Sequence, residues 1–383
     1  MTEERGTESV TEKPVSGWKR RLKLVAFTLA PALTLLIVAH GLASVATFRE
    51  LVFRTDSLTG VSYYHMRVGG WPWVEPTTTR LNTRGFADIE YTTLPPKGGC
   101  VRIVFTGDSF TFGDALSGDR AWVSLVRDRI ATAYPGHCIQ VFNLASPMTT
   151  IEQQAARVRE TLPALQPDFI VLAQYQNDIT DLTIPGSVAF RPASQGQQST
   201  FWGDRLRRMT PGFDSPLPRM LTYRAIEYMG ENRIKWDLLS RWSVLADSTS
   251  QEMATMLTGI YREMYDSLIN EVRGKGIGFA AVIFPSKMDI LAQRYPEGDF
   301  FSALAVEHGV PVLDLYPTFD ARRKPFPYQL YDGHLNTLGN RIAAEAVFNW
   351  LFRSDSGPFP RLREGLPDPA PIEPVKWWPQ PLA

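Results

Sequence analysis

Cysteine is nearly absent: Cys100 and Cys138 are the only two in 383 residues. Two thiols cannot build a tetrahedral all-cysteine metal site, and they allow one disulfide at most. Histidine is scarce as well, with five residues, so any imidazole chemistry comes from a short list. Neither sign of charge is in excess, since Lys+Arg and Asp+Glu both number 40. With no basic stripe interleaved with aromatics, nothing points to nucleic acid as a partner. No strand pattern runs into a glycine-rich loop with the spacing of a phosphate or dinucleotide site, which leaves a nucleotide-binding reading without support.

Charge is missing altogether from one long stretch. Leu24 to Phe48 contains no Asp, Glu, Lys or Arg. As a helix this run spans roughly 37 Å, enough to cross a bilayer with some tilt. Pro31 and His40 interrupt it without forbidding a membrane helix. Lys19, Arg20, Arg21 and Lys23 crowd its N-terminal side, whereas Arg49 and Arg54 alone follow closely. The positive-inside rule then predicts a cytoplasmic tail (1–23), one transmembrane helix (24–48) and an extracytoplasmic, periplasmic or extracellular remainder. The alternative is a signal peptide cleaved near Ser44-Val45-Ala46, although the apolar run exceeds the usual length of such a segment.

Beyond the apolar run, 49–100 is rich in Thr, Gly, Pro and aromatics and reads as irregular structure with short strands, packed on a main domain. From Val101 strands and helices alternate. Strands are expected at 101–105, 139–142, 169–173, 278–284 and 310–314. Helices are expected at 119–134, 151–165, 251–273 and 337–352, the third with Met256, Ile260, Met264 and Leu268 spaced four apart. A polar insertion occupies about 184–250, and a Pro-rich tail, 355–383, wraps the surface or dangles. The main domain is therefore 101–354. Such alternation implies a parallel sheet covered on both faces, and in such sheets ligands bind beyond the C-terminal strand ends.

Those ends carry the chemistry. The first strand runs into Thr106-Gly107-Asp108-Ser109, which places a serine on a tight strand-to-helix turn with its hydroxyl presented as a nucleophile. The same tripeptide also reads as an ordinary helix-capping turn. Of the five histidines, His40 lies in the apolar run, His65 in the irregular segment, and His137 and His308 before strands. His334 alone follows the last strand and opens the last helix. Asp332, two residues earlier, can orient an imidazole or cap a turn. The second strand leads into Asn143 and the third into Asn177-Asp178; an amide such as Asn177 can donate to an oxyanion or simply shape a turn.

Gly107-Asp108-Ser109, Asn143, Asn177-Asp178 and Asp332-x-His334 occur in the order and strand positions of the SGNH (GDSL) hydrolase superfamily, which roughly Val101 to Phe352 resembles. Each block is weak alone; four in order are specific. The resemblance implies an α/β, flavodoxin-like three-layer sandwich with a five-stranded parallel sheet. It implies a Ser109–His334–Asp332 triad, with the Ser109 N–H, the Met148 N–H and the Asn177 side chain as oxyanion donors. It implies hydrolysis of acyl esters of lipids or sugars without a metal or cofactor. Two positions depart from the family pattern: Met148 stands where a Gly five residues after the Asn is usual, and Tyr175 where the third block begins with Gly. A side chain at 175 is expected to narrow or reshape the pocket.

The expected activity is a serine esterase removing O-acyl, including O-acetyl, groups from an extracytoplasmic carbohydrate or lipid. The alternatives are an O-acyltransferase modifying a surface polysaccharide and a non-catalytic glycan-binding protein. Trp71, Trp73 and Trp202 are candidates for stacking on sugar rings, or for packing. In the flavodoxin-like order the first two strands are parallel neighbours about 4.8 Å apart. Cys100 and Cys138 immediately precede those strands, so they are expected to pair as a disulfide at the sheet edge opposite Ser109.

Overall fold

A computed structural model describes residues 17–46, 49–55, 62–68, 77–91, 94, 96–114, 116–183, 216–231, 245, 251–322, 326–329, 333–354, 357–363 and 366–369. Five parallel strands form the central sheet: β4 (Val101–Thr106), β5 (Ile139–Asn143), β6 (Phe169–Gln174), β7 (Gly278–Ile283) and β8 (Val312–Asp314). Their spatial order is β5-β4-β6-β7-β8, the doubly wound arrangement in which the chain reverses direction beside its first parallel strand. Nearly every residue of β4, β6 and β7 is buried, which is why these strands read as continuous apolar runs rather than alternating ones. The period of two still sorts the side chains. Ile103 and Phe105 join one core, with Trp122, Val126 and Phe348, while Val104, Phe142 and Leu172 join the other, with Val158, Tyr261 and Phe301.

The helices α2 (Ser109–Phe112), α3 (Trp122–Ala133), α4 (Ile151–Leu165) and α5 (Asn177–Thr180) follow the first three strands of this sheet, and α6 (Pro216–Glu231) lies within the insertion. Then come α7 (Gln251–Gly274), α8 (Lys287–Ala292), α9 (Pro296–Glu307), α10 (Tyr316–Ala321), α11 (Thr337–Phe352) and α12 (Pro360–Arg363). In α7 the four-residue spacing is carried by Leu257, Tyr261, Tyr265 and Ile269, all buried and one residue later than the expected pattern; of that pattern Leu268 is buried, whereas Met256 is exposed. The tyrosines bring more apolar area than the methionines, and the Tyr261 hydroxyl is satisfied in the core by the Gln174 side-chain amide at 2.8 Å.

Before the sheet, α1 (Gly17–Ala46) contains an apolar stretch of 27 residues, Arg20–Ala46, long enough to cross a membrane and exposed throughout its most apolar part. The short strands of the next segment pair into an antiparallel sheet, β1 (Arg49–Thr55), β2 (Ser62–Val68) and β3 (Thr77–Arg80). This small sheet packs on the main domain beside the first strand-to-helix turn. Tyr64 meets the edge of Phe112 at 5.2 Å, and Met66, Leu81, Ala87 and Ala145 complete the cluster. Part of the C-terminal tail is also packed: Phe359 stacks on Phe169 at 4.2 Å, below the start of β6. Most of the insertion, Trp71, Trp73 and Trp202 lie outside the described residues.

Cys100 and Cys138 form a disulfide with Cα atoms 4.6 Å apart. The register explains it: Val101 pairs with Ile139 across β4 and β5, so the residues just before them face each other. Closing a loop of 38 residues stabilises a fold by about 2–4 kcal/mol. The bond lies at the opposite end of β4 from Ser109, so reduction is expected to lower the melting temperature while leaving the turnover of folded protein unchanged. Melting scans and assays with and without reductant check both halves of this expectation.

Candidate active site

The β4–α2 turn is built by close approach. A Cβ on Gly107 would lie 2.4 Å from Thr111 Oγ1 and 3.0 Å from the Ala173 carbonyl, so only glycine fits. Asp108 caps α2, its carboxylate accepting the Phe110 N–H at 3.0 Å. Ser109 is then the first residue of a four-residue helix and has no intrahelical acceptor for its N–H. Gly113 ends the helix at φ 90°, where a side chain would also strike Ala121. Trp122 pins the helix from the other side, donating its indole N–H to the Phe110 carbonyl at 3.1 Å.

His334 reaches this turn from the far end of the chain. Its loop is held by a bridge between Tyr328 and Leu335 and by the Gln329 N–H, which donates to the His334 carbonyl at 2.8 Å. Asn336 caps α11 by accepting the Gly339 N–H, and its amide donates to the carbonyls of Phe326 and Tyr328. The outcome is a separation of 2.8 Å between His334 Nε2 and Ser109 Oγ. Asp332 lies outside the described residues.

The two asparagines differ in use. Asn143 is bonded on every side: its amide donates to the Thr111 carbonyl, its side-chain oxygen accepts the Ala145 N–H, and its own N–H and carbonyl meet Asp88 and the Tyr91 hydroxyl. It ties the end of β5 to α2. Asn177 opens α5, and its amide donates to Asp181 at 3.0 Å and also reaches Asp108. Met148 adopts φ 56° with its side chain exposed. The turn therefore requires the left-handed conformation that glycine favours, and Met148 takes it at a cost of about 1–2 kcal/mol because its side chain projects into solvent. Tyr175 is turned into the core, stacked on Phe110 at 3.7 Å, and Phe110 in turn lies 5.1 Å from the His334 ring. The bulky group that replaces glycine supports the histidine's neighbour.

Four carboxylates surround these groups. Burial pushes Asp108 up; the Phe110 N–H, His334 and the Asn177 amide oppose that rise, while Asp114 adds to it. Asp178, held by the Gln154 amide and the Tyr175 N–H, is raised well above the usual range by burial and by Asp108. Asp181 is pushed up to about 7 by burial and by Asp108, against the Asn177 hydrogen bond. Asp114, buried, places Oδ2 3.6 Å from His334 Nε2. Sequence reasoning passed over Asp114 and Asp181, although both carry a positional signal. Asp114 directly follows the glycine that ends α2, and Asp181 stands four residues after Asn177, on the same helical face. No group of three or more His, Cys, Asp and Glu suited to a metal ion occurs among the described residues.

A serine hydroxyl in hydrogen-bond reach of an imidazole, at the C-terminal edge of a doubly wound sheet, is the arrangement that a serine nucleophile requires. The model of the GDSL-like Lipase/Acylhydrolase family matches residues 105–342, more than half of the chain, and the protein belongs to that family. No curated protein matches significantly. Similar solved structures include the acetyl xylan esterase AlAXEase, with 14% identity over 65% of this chain and 98% of that one, TM-score 0.39. TesA shares 14% identity over 65% and 97%, TM-score 0.37. The psychrotrophic esterase EstA from Pseudoalteromonas sp. shares 10% over 65% and 94%, TM-score 0.36. Likeness of this depth says nothing about substrate.

Proposed function

We propose that this GDSL-type acylhydrolase is a membrane-anchored, extracytoplasmic serine esterase that removes O-acyl groups, acetyl among them, from a carbohydrate or lipid. The 2.8 Å approach of Ser109 Oγ to His334 Nε2 carries the reading. Ser109 Oγ attacks the ester carbonyl carbon as His334 takes its proton at Nε2, with Asp332 holding the imidazole from its other nitrogen. The Ser109 and Met148 N–H groups and the Asn177 amide donate to the oxyanion. The protonated imidazole gives its proton to the departing alcohol, leaving an acyl-serine. Water, deprotonated by His334, then releases the carboxylic acid. Assay of the soluble part, 49–383, against short aryl esters and acetylated glycans tests this directly. Acetyl release to water supports the esterase; release only to an added sugar hydroxyl would make the protein an O-acyltransferase.

Asn177→Ala is expected to lower kcat by a factor on the order of 10²–10³, the usual cost of one oxyanion donor. Full kcat with altered thermal stability would reduce Asn177 to a turn residue.

The division into an anchor (24–48), a packed segment (49–100) and a hydrolase domain (101–354) belongs to the same proposal. The basic cluster in the first turns of α1, ahead of the uncharged run, supports an outward hydrolase domain, and the Cys100–Cys138 disulfide suits an oxidising compartment. Protease added to intact spheroplasts is expected to digest the domain; protection until lysis would reverse the orientation. Recovery of mature protein beginning after Ala46 would mean that α1 is a cleaved signal.

A further inference from the structure

We infer that Asp114 is a second carboxylate partner of His334, placed against Nε2, and that it stabilises the imidazolium formed when Ser109 is deprotonated. The inference rests on the serine mechanism proposed above. In the usual triad the acid lies on Nδ1, the side of the ring that does not meet the serine. Asp114 lies on the other side: its Oδ2 is 3.6 Å from the nitrogen that lies 2.8 Å from Ser109 Oγ.

Local structure fixes this placement. Gly113 turns the chain through a left-handed conformation at the end of α2, and the Asp114 N–H then donates to the Ser109 carbonyl at 3.1 Å. The carboxylate is thus tethered to the backbone of the nucleophile itself, five residues on. Its side chain is 4% exposed and that of His334 is 15% exposed, so water screens the pair weakly. As Ser109 attacks, the proton arrives at Nε2, and positive charge develops on the ring beside a carboxylate already in place. This is electrostatic stabilisation that needs no reorganisation.

The same charge acts on the resting enzyme. A carboxylate close to an imidazole favours its protonated form, so Asp114 moves the acid limb of activity to higher pH. Other ionisable groups face the pair from each neighbouring element. Asp108 from the cap of α2 acts electrostatically on both, and Asp178 and Asp181 of the α5 side act in turn on Asp108. The Tyr175 hydroxyl comes close to Gly333. The Lys287 ammonium binds the Gln329 carbonyl, one residue's peptide away from the N–H that holds His334. All of these are retained when Asp114 alone is changed, so a difference between variant and wild type isolates the Asp114 carboxylate.

The test is the pH profile of kcat/KM for a short aryl ester, measured on the full chain as wild type, Asp114→Asn and Asp114→Glu, with fluorophosphonate labelling of Ser109 in each. Asp114→Asn is expected to move the midpoint of the acid limb to lower pH by at least about one pH unit and to reduce the plateau about tenfold or more. Asp114→Glu, which keeps the charge, is expected to hold the wild-type midpoint; it also serves if the Asn variant does not fold. An unmoved acid limb in Asp114→Asn, with or without a lower plateau, would overturn the inference, since a purely structural role changes rate and not the midpoint. A limb displaced equally in Asp114→Glu and Asp114→Asn would overturn it too. Failure of the wild type to label at Ser109 would sink the serine mechanism first, and the role of Asp114 with it.

Discussion

Ser109→Ala is expected to abolish ester cleavage, with a loss of kcat on the order of 10⁴–10⁶, while the protein stays folded. The substitution removes one oxygen, which meets His334 Nε2 at 2.8 Å and Asp108 at 3.5 Å. The turn that carries it is held by other groups: the Asp108 cap, the tight fit at Gly107, the Gly113 close of α2 and the Trp122 indole. None of these uses the Ser109 side chain, so the circular dichroism spectrum should match that of wild type and the stability should change by about 1 kcal/mol or less, although Ser109 is buried. Residual catalysis should survive, because the proposed oxyanion donors are untouched. The check is paired: kcat for an aryl ester, expected to fall to that residual level, and stoichiometric labelling by a fluorophosphonate, expected to vanish in the variant. Turnover within tenfold of wild type would end the serine mechanism, whatever the melting curve does.

The sequence carried the parallel sheet and the Ser109–His334 pair because both depend on signals that survive in one dimension. Strands buried on both faces are apolar throughout, and chemistry gathers at their C-terminal ends. Five histidines left one with a suitable position. What was illegible depended on packing. The antiparallel sheet β1–β3 has short strands without clean alternation, and it gains its stability from contacts such as Tyr64 on Phe112 that join residues far apart in sequence. In α7 the buried stripe centres one residue from the methionines, although Leu268 is buried as expected, because methionines and tyrosines both fit a four-residue spacing and the space beside Gln174 and Phe301 takes Tyr261. Tyr175 looked like an intrusion at a glycine position; the stack on Phe110 that absorbs it is not written in the spacing. Asp114 was overlooked for a related reason. No periodicity marks a carboxylate that approaches a histidine 220 residues later in the chain, and only the folded turn brings the two together.

Asp181→Asn is expected to stabilise the protein at pH 8 and to change little at pH 4. Asp181 has its folded-state carboxyl pushed up to about 7 by burial and by the neighbouring Asp108, whereas an unfolded chain releases that proton near pH 4. The folded state therefore binds the proton more tightly. Between about pH 4 and 7 the unfolded chain is ionised while the folded one still holds its proton, so stability falls as pH rises through this window and the penalty is complete above pH 7. Three units of difference correspond to about 4 kcal/mol at the upper bound, reduced wherever water reaches the site. Asparagine has the same shape and carries no charge. Its side-chain oxygen still accepts the Asn177 amide, which Asp181 binds at 3.0 Å, so Asn177 keeps its orientation. Asp108 and Asp178 are raised in the same direction, so the wild-type curve declines with pH even without Asp181. The informative quantity is thus the difference in melting temperature between variant and wild type, measured at each pH from 4 to 8. It should grow from near zero to several degrees, at about 2–4 °C per kcal/mol for a domain of this size. A difference that stays flat, or that shrinks as pH rises, would mean that Asp181 is ionised at no cost in the folded protein and that its carboxylate, rather than its acid form, is what Asn177 holds.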